Sequence, residues 1–380
     1  MIGTIKRGFA LAVKVFLQVC YSPIRLLPAR KQITFISRQQ DTPSLDFELF
    51  AQEFTRRHPD WTVEFLCYEF HSSLAKKLGY FGHVFTQMRH ISRSRLVVLD
   101  TYCIPVSVLR HKDSLRVIQM WHALGSLKKF GYSILDVGEG SSSDIARIMH
   151  MHANYDAVVA SSRASTPAFA EAFNVPEAVV HPIPLPRVDA LRDTERRDHT
   201  RTMLLEQYPE LAGKKNVLFA PTFKKGQVFA ADALHAYFAR HGYNLIAKPH
   251  PVALSDTDVI ARRYADHSSF DFLSVADYLV TDYSSIMFEA GIADIPVLIF
   301  APDLGEYLEE RDFYIDFAAE VPFPIATGFE GLVDNLKQLD REPAEFQDFI
   351  GRYVELPQDR RCTEAIADLA DSLLDQPVVD

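Results

Sequence analysis

Cysteine is scarce in this chain. Four residues in 380 (Cys20, Cys67, Cys103 and Cys362), none in CxxC spacing, build neither a disulfide framework nor a zinc or redox site. The thiols are expected to be reduced and structural, as in a cytoplasmic protein. Long apolar runs are missing as well. The most apolar stretch, Ile5 to Leu27, is interrupted at Lys14 long before the roughly 20 residues a membrane span needs, which argues against a transmembrane helix. No small-residue cleavage site follows it, which argues against a signal peptide. A HExxH pair, a Walker loop, a glycine-rich dinucleotide fingerprint and internal repeats are all absent. His150, His152 and His181 lack metal-ligand partners at useful spacing, so no metal and no cofactor is expected.

Acid is absent from residues 1–31, which carry six basic side chains, so the net charge of -10 leaves -16 on the remainder. An acidic body argues against nucleic-acid binding, whereas a basic, apolar N-terminus points to an anionic membrane surface. Arg7, Lys14, Gln18 and Arg25 fall on one helical face. The pattern predicts an amphipathic helix lying at the cytoplasmic side of the cell membrane as a peripheral anchor, basic stripe toward the headgroups. Packing of that helix on its own domain is the alternative, with Pro23 breaking the pattern early.

With 48% apolar and 24% charged residues the chain is globular, and its length suits two α/β domains. Buried-strand runs recur at QITFISR, WTVEFLCY, RLVVLD (95–100), LRVIQMWH (115–122) and YDAVVASS (155–162), with helices between them. Thr42-Pro43 and Thr166-Pro167 are read as helix starts. Near residue 190 the chain becomes charged and strandless, then resumes at NVLFAP (216–221), YNLIAKPH (243–250), DYLVTD (277–282) and PVLIFAP (296–302). Thr327 and Glu330 read as a capping box, and 343–374 as covering helices. Strands without polar alternation, each followed by a helix, imply parallel sheets covered on both faces. The expected organisation is an N-terminal amphipathic segment (1–31), a Rossmann-like domain (32–190) and a second Rossmann-like domain with C-terminal covering helices (191–380), the two facing a cleft.

The richest stretch is Ala276 to Pro302, a β-turn-α-β unit. Its first strand ends on Asp282, and Ser284 and Ser285 open a helix whose free N–H groups suit a phosphate. An ordinary N-cap is the alternative. Ligands of open α/β sheets bind beyond the carboxyl ends of strands, and His122, Pro221-Thr222, His250 and Ser284-Ser285 all occupy such ends. A neutral His122 imidazole suits a base for an attacking hydroxyl. His250, held by Pro249 and Pro251, suits charge stabilisation or leaving-group protonation, with Lys248 as a nearby point charge. Arg187 is either a bidentate phosphate clamp or the partner of Asp189. Arg311, among Glu309, Glu310 and Asp312, is a candidate cation for a nucleotide.

Four segments in order, QMWHALGSLKKFGY (119–132), LFAPTFK (218–224), KPHP (248–251) and TDYSSIMFEAGIADIPVLIFAPDLGEYLEERDFYIDF, resemble the CDP-glycerol glycerophosphotransferase family over about residues 33 to 330. PLPRVD resembles the family's Gly-x-Pro-Arg-x-Asp element, with Pro184 in place of glycine, and WHALG departs from the more usual WHG. The resemblance implies the GT-B fold, His122 as base and the KPHP histidine on the donor pyrophosphate. It implies transfer of glycerol phosphate, or another alditol phosphate, from CDP-glycerol or CDP-ribitol with release of CMP. The implied acceptor is a polyprenyl-diphosphate-linked saccharide or a polyol-phosphate chain, as in teichoic acid synthesis. The chain's size leans toward a short-product, primase-like enzyme. A GT-B glycosyltransferase using a nucleotide sugar, and a non-catalytic subunit of a polymer-assembly complex, are the rival readings.

Overall fold

The structure, a computed structural model, describes residues 2–69, 74–138, 140–222, 231–248, 259–310, 312–339 and 344–377. The chain divides into two compact units. One comprises residues 1–123, 129–187 and 355–380, the other 124–128 and 188–354.

The first unit is built on six parallel strands: β1 (Gln32–Ser37), β2 (Thr62–Cys67), β3 (Leu96–Leu99), β4 (Arg116–Gln119), β5 (Ala157–Ala160) and β6 (Val180–Pro182), in the order β2-β1-β3-β4-β5-β6. β1, β3 and β5 are buried along their whole length, as strands covered on both faces must be. The helix Leu45–Arg57 presents Phe47, Phe50 and Phe54 at helical spacing, and Phe47 and Phe50 pack on Phe35 of β1. Its N-cap is Ser44, whose hydroxyl accepts from Phe47 N, rather than the expected Thr42.

The expected covering helices at the C-terminus part company. Ala344–Tyr353 belongs to the second unit, and Cys362–Leu374 to the first. There Arg57 reaches Asp368 (2.6 Å) and Asp371 (3.0 Å) and fastens the last helix to Leu45–Arg57.

The N-terminal helix runs from Ile2 to Ile24 with Pro23 in its last turn. Leu17 and Tyr21 are buried with Tyr80, Val84, Met88 and Leu109, a burial of about 1.5–3 kcal/mol per large apolar side chain. The basic stripe, expected to face headgroups, makes polar contacts within its own unit, with the Arg7 side chain still 58% exposed. Arg7 pairs with Asp144, and Lys14 Nζ lies 2.6 Å from His150 Nε2. Ile5, Phe9, Leu11, Val15, Phe16 and Val19 of the same helix are exposed as well. Among the described residues no helix is long and apolar enough to cross a membrane.

The second unit carries five parallel strands, β7 (Asn216–Phe219), β8 (Asn244–Ala247), β9 (Tyr278–Thr281), β10 (Val297–Phe300) and β11 (Ile325–Ala326), in the order β11-β10-β9-β7-β8. Its core joins Val217, Phe219, Phe238, Leu245, Val280, Leu298, Leu332 and Leu336. The helix expected to start at Thr327 starts at Leu332, after Gly331 with φ +81°. A left-handed residue there ends the preceding turn before helical backbone can begin.

Candidate active site

Each sheet reverses its strand order once, and open α/β sheets bind ligands at that point. In the first unit it falls between β1 and β3, in the second between β7 and β9.

His122 stands three residues past β4. The turn that carries it is strained: Trp121 has φ +60°, rare for a bulky side chain and worth about 1–3 kcal/mol of strain. Trp121 N donates to Gln119 Oε1 at 2.9 Å, and its ring stacks on Phe130 at 4.9 Å with Phe173 at its edge. These contacts hold the strained conformation and so fix the residue after it. His122 Nδ1 lies 2.9 Å from the backbone carbonyl of Asp100, just beyond β3. A carbonyl only accepts, so Nδ1 carries the proton and Nε2 keeps its lone pair. Burial pushes the His122 pKa down to about 4, and the nearby Arg187 cation adds to the fall. The ring is therefore neutral at pH 7.

Arg187 is held by Asp46. Its backbone N donates to Asp46 Oδ1 (2.7 Å) and its Nε to Asp46 Oδ2 (2.8 Å). Asp46 lies in the first turn of Leu45–Arg57 and is almost wholly buried, so its charge requires this partner. Asp100 is also buried, and burial raises its carboxyl to about 7 with the Ser37 and Thr101 hydroxyls opposing. Sequence reasoning missed Asp46 and Asp100. The signal for Asp100 was present, since Asp100 closes β3 as Asp282 closes β9.

In the second unit Thr222 and Asp282 meet across the switch point. Thr222 donates to Asp282 Oδ1 from its backbone N (2.8 Å) and from Oγ1 (2.7 Å). Lys128 donates to Thr222 Oγ1 at 2.8 Å and rests over the Tyr283 and Tyr307 rings, which stack on each other at 4.0 Å. Lys128 was also missed, because only the fold shows that 124–128 leaves the first unit. Gly125 makes that excursion possible. Its φ is +59°, and a Cβ there would collide with the Phe288 ring.

The helix after Ser284-Ser285 spans Ile286–Ile292. Ser285 occupies the N-cap position, with helical φ and ψ and no side-chain cap bond. The Ser284 and Ser285 hydroxyls make no hydrogen bond to another described residue. Lys248, expected as a point charge near His250, donates to the carbonyls of Tyr264 (2.7 Å) and His267 (2.6 Å). Burial lowers its pKa. His250 and Arg311 lie outside the described residues. Among those described, no group of three or more His, Cys, Asp and Glu side chains is arranged to hold a metal ion.

The chain is 32% identical over 366 residues to a teichoic acid ribitol-phosphate primase of Bacillus spizizenii, covering 92% of this chain and 93% of the relative. A teichoic acid glycerol-phosphate primase of the same organism is 24% identical, covering 90% and 93%. Against the teichoic acid poly(ribitol-phosphate) polymerase of that organism, 27% identical over 92% of this chain, it spans 57% of the relative's length. In fold the chain is similar to a solved structure of the wall teichoic acid polymerase TagF soaked with CDPG, with a TM-score of 0.74, 19% identity and 98% of each chain covered. A family model described as CDP-glycerol:poly(glycerophosphate) glycerophosphotransferase matches residues 20–370, and the chain belongs to that family.

Proposed function

We propose that the chain transfers an alditol phosphate from its CDP-activated form to an acceptor hydroxyl in teichoic acid synthesis. The observation that carries this reading is the His122 tautomer. With Nδ1 committed to the Asp100 carbonyl, Nε2 is the atom that takes the acceptor proton as the hydroxyl oxygen attacks phosphorus. The bond from that phosphorus to the CMP oxygen breaks, and CMP leaves with the electron pair. Such a transfer depends on alignment and charge neutralisation. The second unit supplies these to the donor diphosphate through the two serine hydroxyls and Lys128. By family resemblance His250 acts on the same diphosphate, and Arg311 is a cation for the nucleotide. The first unit takes the acceptor.

Ribitol phosphate is the favoured group, because the ribitol-phosphate primase is the more similar of the two primases from one organism. Glycerol phosphate, expected from the sequence motifs, is the competing donor. The exposed apolar face of Ile2–Ile24 supports a peripheral place on a membrane carrying a polyprenyl-diphosphate-linked acceptor. The test supplies purified protein with CDP-ribitol, CDP-glycerol or a UDP-sugar, together with a lipid-linked disaccharide, and follows CMP release and product mass. A ribitol-phosphate adduct is expected. Turnover of the UDP-sugar alone would overturn the reading.

A further inference from the structure

Arg38 follows β1, and Tyr102 lies three residues past β3, so both stand at the switch point of the first sheet. The Arg38 guanidinium carbon is 5.8 Å from the Tyr102 ring centroid. Its Nε is buried without a hydrogen-bond partner, and no carboxylate pairs with it among the described residues. Next to Tyr102, the Cys103 thiol reaches Gln87 Oε1 at 3.9 Å, and the fully buried Gln87 likewise has an Nε2 with no partner. The Arg38 Nε, left without a partner at a ligand-binding edge, calls for an anion.

Tyr102 has a second neighbour. The same residue lines an apolar cavity of about 360 Å³ against the helix Ile2–Ile24, with Phe9, Val13, Ile104, Ile145 and Met149 in its wall and Lys6 as its charged lining residue. That volume is at the lower end of ligand pockets, about 300–1,000 Å³, and suits part of a ligand. A hydrocarbon alone would leave Arg38 uncompensated, and a phosphate alone would leave the cavity unfilled. One ligand satisfies both when its anion and its apolar chain are directly joined.

We propose that Arg38 and this cavity form one amphipathic subsite, in which Arg38 takes a phosphate of the lipid-linked acceptor and the cavity takes the adjoining isoprene units. The inference rests on the reading that the first unit binds the acceptor. Neither Arg38 nor the cavity has been given a part in that reading above.

Calorimetry on the full chain with geranyl diphosphate, geraniol and inorganic diphosphate tests it. Geranyl diphosphate should bind at least about tenfold more tightly than either half, since each half contributes its own favourable term. Arg38→Gln should reduce geranyl diphosphate to the level of geraniol and leave geraniol unchanged. Ala146→Phe, which fills the cavity, should reduce it to the level of inorganic diphosphate. Because that variant risks unsettling the helix above it, a photoreactive prenyl diphosphate is also applied to the unaltered protein. Its label should map to peptides containing Phe9–Val13 or Ile145–Met151. Equal binding of geranyl and inorganic diphosphate, full affinity in Arg38→Gln, or labelling elsewhere overturns the subsite. CMP release with a water-soluble acceptor separates the two failures: turnover without prenyl diphosphate binding sinks only this inference, and binding without turnover sinks the transferase reading.

Discussion

The backbone carbonyl of Asp100 accepts a hydrogen bond from His122 Nδ1 at 2.9 Å, and this contact leaves Nε2 as the ring's basic atom. Replacing His122 with alanine should lower transfer by about 10²- to 10⁴-fold, the usual range for loss of a general base. Donor binding should stay nearly intact, because the base acts on the acceptor. The acid limb of kcat/KM should fall near pH 4, where His122 protonates in the folded state, not near the ordinary histidine value. Activity of the alanine variant within a few-fold of the parent would remove His122 from the chemistry.

The folded-state pKa of His122 is depressed to about 4 and that of His152 to about 3, in both cases mainly by burial. Between these values and the ordinary value of about 6.5 the unfolded chain binds more protons than the folded one. Stability is therefore full above about pH 6.5 and is lost as pH falls toward 4. Urea titrations at pH 7.5 and pH 5 should show the lower midpoint at pH 5, and His152→Phe should narrow the gap. Equal midpoints at the two pH values would contradict the burial argument.

Arg187 lowers the His122 pKa and Asp46 raises it. Arg187→Gln removes the lowering charge and leaves the raising one, so the acid limb should move upward. It also strands a buried carboxylate, at a cost of about 3–5 kcal/mol. Asp46→Asn should move the limb the other way. Histidine NMR titration of both variants reads the two directions. A shared direction would show that the ion pair acts only on the fold.

Much of this was legible in the chain. β3, β5 and β10 are continuous apolar runs of four residues, and such runs identify themselves. The edge strands β6 and β11, three and two residues long, give no such signal. Thr327 and Glu330 satisfied the letters of a capping box, but Gly331 postponed the helix. The candidate residues were legible as strand ends, yet their partners were not. Asp46 and Arg187 are 141 positions apart, and Thr222 and Asp282 are 60 apart. The tautomer of His122 depends on a carbonyl of another strand. Contacts of this kind are set by topology and leave no periodicity in sequence.

The N-terminal helix bears on membrane binding through its apolar face. Removing residues 1–27 would strip Leu17 and Tyr21 from the core, so a truncation would confuse anchoring with folding. Phe16 and Val19 are 48% and 65% exposed; their replacement by glutamate gives up the contact of Phe16 with the Phe81 and Phe85 rings at 6.4 Å but leaves Leu17 and Tyr21 packed. Phe16→Glu with Val19→Glu should abolish co-sedimentation with anionic vesicles while leaving the thermal midpoint within a few degrees. Unchanged pelleting would place the anchor elsewhere.

The hydroxyls of Ser284 and Ser285 are free to meet a donor diphosphate, since neither caps the helix that follows. A diphosphate needs several preorganised donors, and hydroxyls provide them without burying another cation. Replacing both serines with alanine removes the hydroxyls but keeps the backbone and its N–H groups. Donor affinity should therefore fall by about 1–3 kcal/mol, the range for hydrogen bonds to a charged group, and not vanish. Thr222→Val separates a different contribution. It removes the hydroxyl that joins Lys128 to Asp282, so Lys128 loses that hydrogen bond and donor affinity should fall again, now with a steeper salt dependence. Calorimetry with CDP-ribitol and CDP-glycerol at two salt concentrations reads both effects, with circular dichroism as the check on folding. Unaltered donor binding in the double serine variant would move the diphosphate away from this turn.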